Sequence, residues 1–104
     1  DLVFCFNVAH GYDPATNRDL FARLRDALAP GGRLIILDQF EGQSRLAMAR
    51  AGLELARLVY ETALDGTVYE TAQYREWLRD AGFADVSVTR FRTMPGIGLL
   101  EAET

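Results

Sequence analysis

The sequence predicts a single α/β domain in which buried, mostly parallel β-strands alternate with amphipathic helices. Two observations support this prediction. The apolar runs Leu2–Val8 and Arg33–Asp38 lack polar alternation and are typical of strands buried on both faces, as in parallel sheets. After each run, apolar residues recur at helical spacing, and glycine or proline marks the ends of the segments. A chain of 104 residues is long enough to form one such core.

The first 38 residues predict a βαβ unit. A loop containing His10 follows the first strand, and Asp13 before Pro14 is a suitable N-cap for a helix over Ala15–Leu28. The segment Ala29–Gly32 then ends the helix and leads into the second strand. We expect the two strands to be parallel neighbours joined by a right-handed crossover.

A long helix is predicted over Arg45–Leu64, after a loop over Gln39–Ser44. Its charged residues fall three or four positions apart and form one solvated face: Arg50, Glu54, Arg57 and Glu61. The apolar face is wider than packing on a sheet requires. Two interpretations remain open, namely ordinary core packing and a cover over a ligand pocket or a partner.

The last third of the chain predicts a short helix and two strands. The helix follows Glu70 and ends with Gly82 at the C′ position, before a hydrophobic anchor at Phe83. The strands Ala84–Phe91 and Ile97–Ala102 flank a Met-Pro-Gly turn, and so short a connection predicts antiparallel pairing. The predicted order is therefore β-α-β-α-α-β-β, with an antiparallel last strand in a mostly parallel sheet.

Charge and cysteine content exclude several classes of protein. With 11 basic and 15 acidic residues the net charge is −4, which argues against nucleic acid as a partner. The apolar runs are shorter than the ~20 residues of a membrane span, so no membrane association is expected. Cys5 stands alone and no basic-then-apolar leader is present, which favours a cytoplasmic protein without disulfides. One histidine and one cysteine make a metal site unexpected.

Candidate chemistry lies where the first two strands end. Ligands of open α/β sheets bind beyond the carboxyl ends of parallel strands, which here carry His10 and Asp38. Because the two strands are expected to be neighbours, the imidazole and the carboxylate should lie within a side chain's reach of each other. Such a pair provides a general base. A lone histidine in a loop is also often a surface or capping residue, and that alternative remains open. Cys5 lies in mid-strand and is interpreted as an inert, buried apolar residue.

Three segments resemble the class I S-adenosylmethionine-dependent methyltransferases: Asp1–His10, Leu28–Asp38 and Ala81–Phe83. The phrase Leu-x-Pro-Gly-Gly-Arg-Leu before a strand is widespread in that superfamily. His10, Asp38 and the Ala-Gly-Phe segment resemble its small-molecule O-methyltransferase branch. The resemblance extends over residues 1–104 but implies only the C-terminal half of the Rossmann-like catalytic domain, from the fourth strand of the sheet to the seventh.

The resemblance implies an enzyme that transfers a methyl group from S-adenosylmethionine to a hydroxyl of a small molecule. The family's catalytic histidine corresponds to His10, and Asp38 is the acid that orients it. Glu70 is the nearest match to a second family acid. Phe6 and Asn7 correspond to positions beside the methionine part of the cofactor. No catalytic metal is implied.

The acceptor pocket is expected to include an aromatic residue after the histidine. The family commonly has His-Asp-Trp there, and this chain has a glycine and then Tyr12. Met48, Leu55 and Tyr60 of the long helix are expected to provide the rest of the lining. The Gly-rich cofactor loop and the ribose-binding acid belong to a preceding half, so we expect the fragment to be inactive alone. Family dimers use an N-terminal domain, which leaves a homodimer open for a full-length parent.

Two other functions remain open. An exposed sheet edge and a wide apolar helix suit a non-catalytic Rossmann-like fragment that acts as a binding or interaction module. Another Rossmann-like enzyme, such as a dehydrogenase, is disfavoured because the Leu-x-Pro-Gly-Gly phrase fits that class poorly. The sequence upstream of this segment would distinguish these alternatives.

Overall fold

The computed structural model describes residues 1–40, 46–91, 93–94 and 96–104. Within them, a 3₁₀ turn over Ala9–Gly11 accompanies seven helices and strands: β1 (Leu2–Phe6), α1 (Pro14–Ala27), β2 (Arg33–Gln39), α2 (Ala47–Ala63), α3 (Thr71–Asp80), β3 (Ala84–Arg90) and β4 (Ile97–Glu103). The predicted order of elements is confirmed, and their ends shift by one or two residues. The predicted first residue of the long helix, Arg45, and residues 41–44 of the loop before it lie outside the described residues. None of the described helices has the length and apolar character needed to span a membrane.

The sheet has the order β1-β2-β4-β3. β1 and β2 are parallel, with Phe6 opposite Leu37, as the βαβ unit predicts. β4 lies between β2 and β3 and is antiparallel to both, so the other three strands share one direction. The prediction of a mostly parallel sheet with an antiparallel last strand is therefore confirmed.

Helices α1 and α3 pack against one face of the sheet. Their buried side chains join those of the strands in one core. It includes Phe21 of α1 and Leu28 at its C-cap, Tyr74, Trp77 and Leu78 of α3, and Cys5, Leu34, Ile36, Leu100 and Ala102 of the strands. Side chains of a strand alternate between its two faces, so every second residue of a strand points away from this core.

The prediction that β1 is buried on both faces is wrong for the described chain. Cys5 is buried, whereas Leu2, Phe4 and Phe6 on the opposite face are 47%, 58% and 44% exposed. The apolar sequence of β1 correctly predicts that both faces of this strand are apolar. The described helices cover only one of them, and we call the other the open face.

Helix α3 ends just before the glycine that the sequence predicts for its C′ position. Gly82 adopts a positive φ of 95°, its N–H donates to the Arg79 carbonyl, and the N–H of Phe83 donates to the carbonyl of Leu78. These two bonds form the Schellman motif that glycine favours at C′. Phe83 is then buried as the hydrophobic anchor. The start of α1 is equally regular, because the Asp13 carboxylate caps the Thr16 N–H at 2.8 Å.

Helix α2 contributes little to the described core. Leu53 is its buried residue, whereas the N-cap residue Leu46 is exposed, as are large apolar residues of the helix itself: Met48, Leu55, Leu58 and Val59. Ordinary packing on the sheet therefore does not explain the wide apolar face. The alternative, a cover over a pocket or a partner, is the interpretation that the exposure favours.

Replacing Trp77 with alanine is expected to lower the free energy of unfolding by about 3–5 kcal/mol. The indole is fully buried and contacts the rings of Tyr69 and Tyr74 at centroid distances of 4.9 and 5.4 Å, so its removal leaves a cavity. Chemical denaturation measures the effect. Glu76→Ala, on the exposed side of the same helix, is the control and should change stability by less than about 0.5 kcal/mol. Equal effects of the two substitutions would contradict the prediction.

Candidate active site

The candidate site lies at the carboxyl ends of β1 and β2. β1 ends at Phe6, and Asn7 then turns the chain with a positive φ of 54°. The 3₁₀ turn that follows carries His10, and Asp38 is the penultimate residue of β2. Because the two strands are parallel neighbours in register, the turn after β1 lies beside the end of β2.

His10 and Asp38 are in direct contact. Nδ1 of the imidazole lies 2.8 Å from Oδ1 of the carboxylate, and the His10 backbone N–H donates to Oδ2 at 3.3 Å. The side chains are 12% and 0% exposed. A carboxylate oxygen accepts this hydrogen bond when Nδ1 carries a proton, and in that tautomer of the neutral imidazole Nε2 keeps its lone pair. The two side chains thus meet as the sequence predicted.

The Asp38 carboxylate receives two further hydrogen bonds. The Gln39 backbone N–H donates to Oδ1 at 2.8 Å, and the Tyr74 hydroxyl donates to Oδ2 at 3.2 Å. A buried carboxylate needs such donors because it is removed from water. In the sequence, Tyr74 stands at helical spacing from Trp77 and Leu78, which marks it only as an apolar position of a helix. No spacing rule could have identified its contact with a residue 36 positions away.

Tyr60 connects α2 to the site. Its ring stacks on the His10 imidazole with a centroid distance of 4.0 Å and an interplanar angle of 18°. Its hydroxyl donates to Oε1 of Gln39 at 2.7 Å. Burial raises the pKa of this hydroxyl, and the negative charge of Asp38 raises it further. Of the three residues predicted from α2 to line the pocket, Tyr60 is the one that contacts this site.

Two buried side chains that the sequence did not identify hold the turn around His10. Asn17 is fully buried, and its amide donates to the carbonyls of Ala9 and Tyr12 at 2.9 and 3.3 Å. The Tyr69 hydroxyl donates to the Tyr12 carbonyl at 2.6 Å. Carbonyls on both sides of His10 are therefore bonded to the interior, which restrains the backbone that carries the imidazole.

Cys5 lies in β1 beneath the site and is a free, buried thiol. Burial raises its pKa to about 11, and the charge of Asp38 contributes in the same direction. Such a thiol is protonated near neutral pH, when it is a poor nucleophile. The described residues contain no group of three or more histidine, cysteine, aspartate or glutamate side chains that could hold a metal ion.

The residues predicted beside the cofactor lie at the end of β1. The Phe6 ring is 44% exposed on the open face and meets the Phe4 ring edge-on at 5.2 Å. Asn7 has an exposed side chain, and its backbone N–H donates to the Leu37 carbonyl at 2.8 Å. Both side chains are available to a ligand at the carboxyl edge of the sheet. Their assignment to cofactor binding stays a prediction.

The remaining predicted residues are more exposed. Glu70 is the N-cap residue of α3 and its side chain makes no capping hydrogen bond. Tyr12, Met48 and Leu55 are 42%, 89% and 63% exposed. Leu55 and Tyr60 are five residues apart, which separates them by about 140° around the helix, so they do not face the same way. The roles of these four exposed residues stay predictions.

A comparison with protein families decides the class of the chain. The model of the O-methyltransferase domain matches residues 1–84. This chain belongs to the O-methyltransferase domain family. Family membership implies S-adenosylmethionine as the cofactor, and the fold agrees with solved methyltransferase structures over nearly the whole chain.

Relatives of this O-methyltransferase chain are considerably longer than it is. The 3-hydroxy-5-methyl-1-naphthoate 3-O-methyltransferase of Streptomyces sahachiroi is 32% identical over 96 residues, which covers 92% of this chain and 27% of that protein. The methyltransferase CalO6 is 27% identical with a TM-score of 0.85, covering 98% of this chain and 34% of CalO6. The S-adenosylmethionine-dependent methyltransferase SibL is 29% identical with a TM-score of 0.79, covering 99% of this chain and 30% of SibL. The chain thus spans 27–34% of the length of these proteins.

Replacing Gly66 with alanine is expected to lower the free energy of unfolding by about 1–3 kcal/mol. Gly66 is buried, and a Cβ there would overlap the carbonyl group of His10, so the turn that carries His10 would have to move. Thermal or chemical unfolding measures the loss.

The matched control is Gly52→Ala in α2, where an added Cβ has no atom within 4 Å. Alanine is the better helix former, so this substitution should raise stability by about 0.5–1 kcal/mol. If Gly66→Ala also raised stability, the prediction would be contradicted, and the backbone at His10 could move without cost.

Proposed function

We propose that this chain is the C-terminal half of the catalytic domain of an S-adenosylmethionine-dependent O-methyltransferase that acts on a hydroxyl of a small molecule. The observation that carries the proposal is the 2.8 Å contact between His10 Nδ1 and Asp38 Oδ1 at the carboxyl ends of two parallel strands. Membership of the O-methyltransferase family supports the reaction class. The relative from Streptomyces sahachiroi, named for a hydroxynaphthoate, supports an aromatic hydroxyl as acceptor.

His10 acts as the general base in this proposal. The lone pair on Nε2 takes the proton of the acceptor hydroxyl as the oxygen attacks, and Asp38 stabilises the imidazolium that results. When bound, S-adenosylmethionine would supply an electrophilic sulfonium methyl group, with its neutral thioether as the leaving group. The protein then contributes mainly by positioning the acceptor oxygen and by accepting its proton.

The residues at the end of β1 fit the amino-acid end of the cofactor. The Phe6 ring offers an exposed apolar surface, and the exposed Asn7 amide offers both donor and acceptor groups. Both lie where ligands of open α/β sheets bind. Phe6 and Asn7 would therefore hold the methionine part, while the preceding half of the domain would supply the remaining contacts.

The acceptor would lie against the Tyr60 side of α2. Tyr60 already packs on the imidazole, and Tyr12 follows the same turn. Met48 and Leu55 would complete the lining where a further part of the protein closes over α2. Glu70, at the start of α3, would be the second acid of the site.

A second candidate is an interaction module without catalysis. The open face of β1 and the exposed apolar surface of α2 favour it, since patches of this kind mark binding surfaces. The two candidates differ in what they require of His10. A catalytic site needs its imidazole, whereas an interaction through the open face does not.

In the longer protein that carries this segment, His10→Ala is expected to lower kcat by about 10²- to 10⁴-fold. The dissociation constant of S-adenosylmethionine should stay nearly unchanged, because the imidazole acts on the acceptor proton. Transfer of a labelled methyl group measures turnover, and calorimetry measures cofactor affinity. Arg23→Ala is the control, since its side chain is 80% exposed on α1. Unchanged turnover in His10→Ala would return His10 to a capping role.

The isolated 104-residue chain is expected to bind S-adenosylmethionine weakly or not at all. The family resemblance assigns the Gly-rich loop and the ribose-binding acid to the preceding half of the domain. Titration calorimetry tests this, with the longer protein titrated under the same conditions as the positive control. Circular dichroism of the same sample establishes that the chain is folded. Micromolar binding by the folded chain would contradict the assignment to half a cofactor site.

A further inference from the structure

Tyr74 contacts the oxygen of Asp38 that the imidazole does not use. Its hydroxyl donates to Oδ2 at 3.2 Å, whereas His10 Nδ1 meets Oδ1. Both residues are buried, at 0% and 1% exposure. The Tyr74 hydroxyl touches no residue where an acceptor or a cofactor is proposed to bind, so an effect of this hydroxyl on the reaction would pass through the carboxylate.

The Tyr74 ring is held on several sides, which fixes the position of its hydroxyl. It packs edge-on against the rings of Phe40 and Trp77, with centroid distances of 4.9 and 5.4 Å. It also packs against the rings of Phe21 and Tyr69. Burial raises the pKa of this hydroxyl far above its ordinary value, and the charge of Asp38 raises it further. The hydroxyl therefore stays protonated and remains a hydrogen-bond donor to the carboxylate.

Each oxygen of the carboxylate accepts two hydrogen bonds from the residues that the structure describes. Oδ1 receives the His10 imidazole and the Gln39 backbone N–H, both at 2.8 Å. Oδ2 receives the His10 backbone N–H at 3.3 Å and the Tyr74 hydroxyl at 3.2 Å. Rotation of the carboxylate would break all four bonds. Without the hydroxyl, Oδ2 keeps only the long bond from the backbone, and the carboxylate is less restrained.

We propose that Tyr74 is a positioning residue, whose buried hydroxyl fixes the Asp38 carboxylate and through it the ring orientation and tautomer of His10. The proposal rests on the proposed function, in which Nε2 of the imidazole takes the acceptor proton. A tyrosine that merely filled the core would need its ring but not its hydroxyl. Tyr74→Phe separates the two roles, because phenylalanine keeps the ring.

In the longer protein, Tyr74→Phe is expected to lower kcat by about tenfold, because a hydrogen bond to a charged group is lost. The KM values for the acceptor and for S-adenosylmethionine should stay within about twofold, since the hydroxyl is buried against Asp38 and is proposed to contact neither ligand. Trp77→Phe is the matched control. It disturbs the same aromatic cluster but removes no hydrogen bond to the carboxylate, because the indole N–H has no partner among the described residues. It should lower the melting temperature while leaving kcat unchanged.

A spectroscopic readout tests the geometry independently of turnover. The imidazole Nδ1–H bonded to a carboxylate gives a low-field proton signal in NMR of protein labelled with ¹⁵N-histidine, and its absence in His10→Ala assigns it. The signal should shift or broaden in Tyr74→Phe and persist unchanged in Trp77→Phe. The proposal is overturned by a kcat within about twofold of the parent in Tyr74→Phe, or by an unchanged signal in that variant.

The same variants distinguish the two proposals. If His10→Ala abolishes turnover and Tyr74→Phe changes neither kcat nor the imidazole signal, the proposed function stands and the role of Tyr74 fails. If His10→Ala leaves turnover unchanged, the proposed function fails. The proposed role of Tyr74 in catalysis then fails as well. A changed NMR signal in Tyr74→Phe would in that case show only that the hydroxyl contacts Asp38.

Discussion

The Asp38 carboxylate is enclosed at the end of β2, and the surrounding structure supplies the donors that such a group requires. A buried carboxylate is costly unless its oxygens are hydrogen-bonded, so each donor is a constraint on the fold. The donors come from three places: the turn after β1 provides His10, β2 provides the Gln39 backbone, and α3 provides Tyr74. The hydrogen bonds that offset the cost of burying the Asp38 carboxylate also orient the His10 imidazole. In the proposed function, stability and chemistry therefore depend on the same four hydrogen bonds.

The sheet has one covered face and one open face, and this asymmetry agrees with the short span of the chain relative to its relatives. Helices α1 and α3 bury one face, while Phe4 and Phe6 expose aromatic rings on the other. The chain spans 27–34% of the length of the three proteins compared with it. In the proposed parent, the preceding half of the catalytic domain would pack on the open face. The carboxyl edge would then have cofactor contacts from both halves and an acceptor pocket beneath α2.

Much of the fold was predictable because its determinants are local. The cap at Asp13, the Schellman glycine at Gly82 and the anchor at Phe83 each act within a few residues of the helix end that they define. The proximity of His10 and Asp38 was also predictable, although they lie 28 residues apart. A right-handed crossover makes two strands parallel neighbours, and their carboxyl ends then lie at the same edge.

The sequence by itself therefore determined the order of elements, the strand directions and the edge of the sheet where chemistry is expected. Only the tertiary structure decided which donors surround Asp38 and which face of β1 is buried. Tyr74 and Asn17 look like ordinary positions of two helices, and their partners are set by how those helices dock on the sheet. The burial of β1 depends in the same way on which helices are present to cover it. The periodicity of the sequence shows that one face of a helix or strand is apolar. Only the tertiary packing decides which residues contact that face.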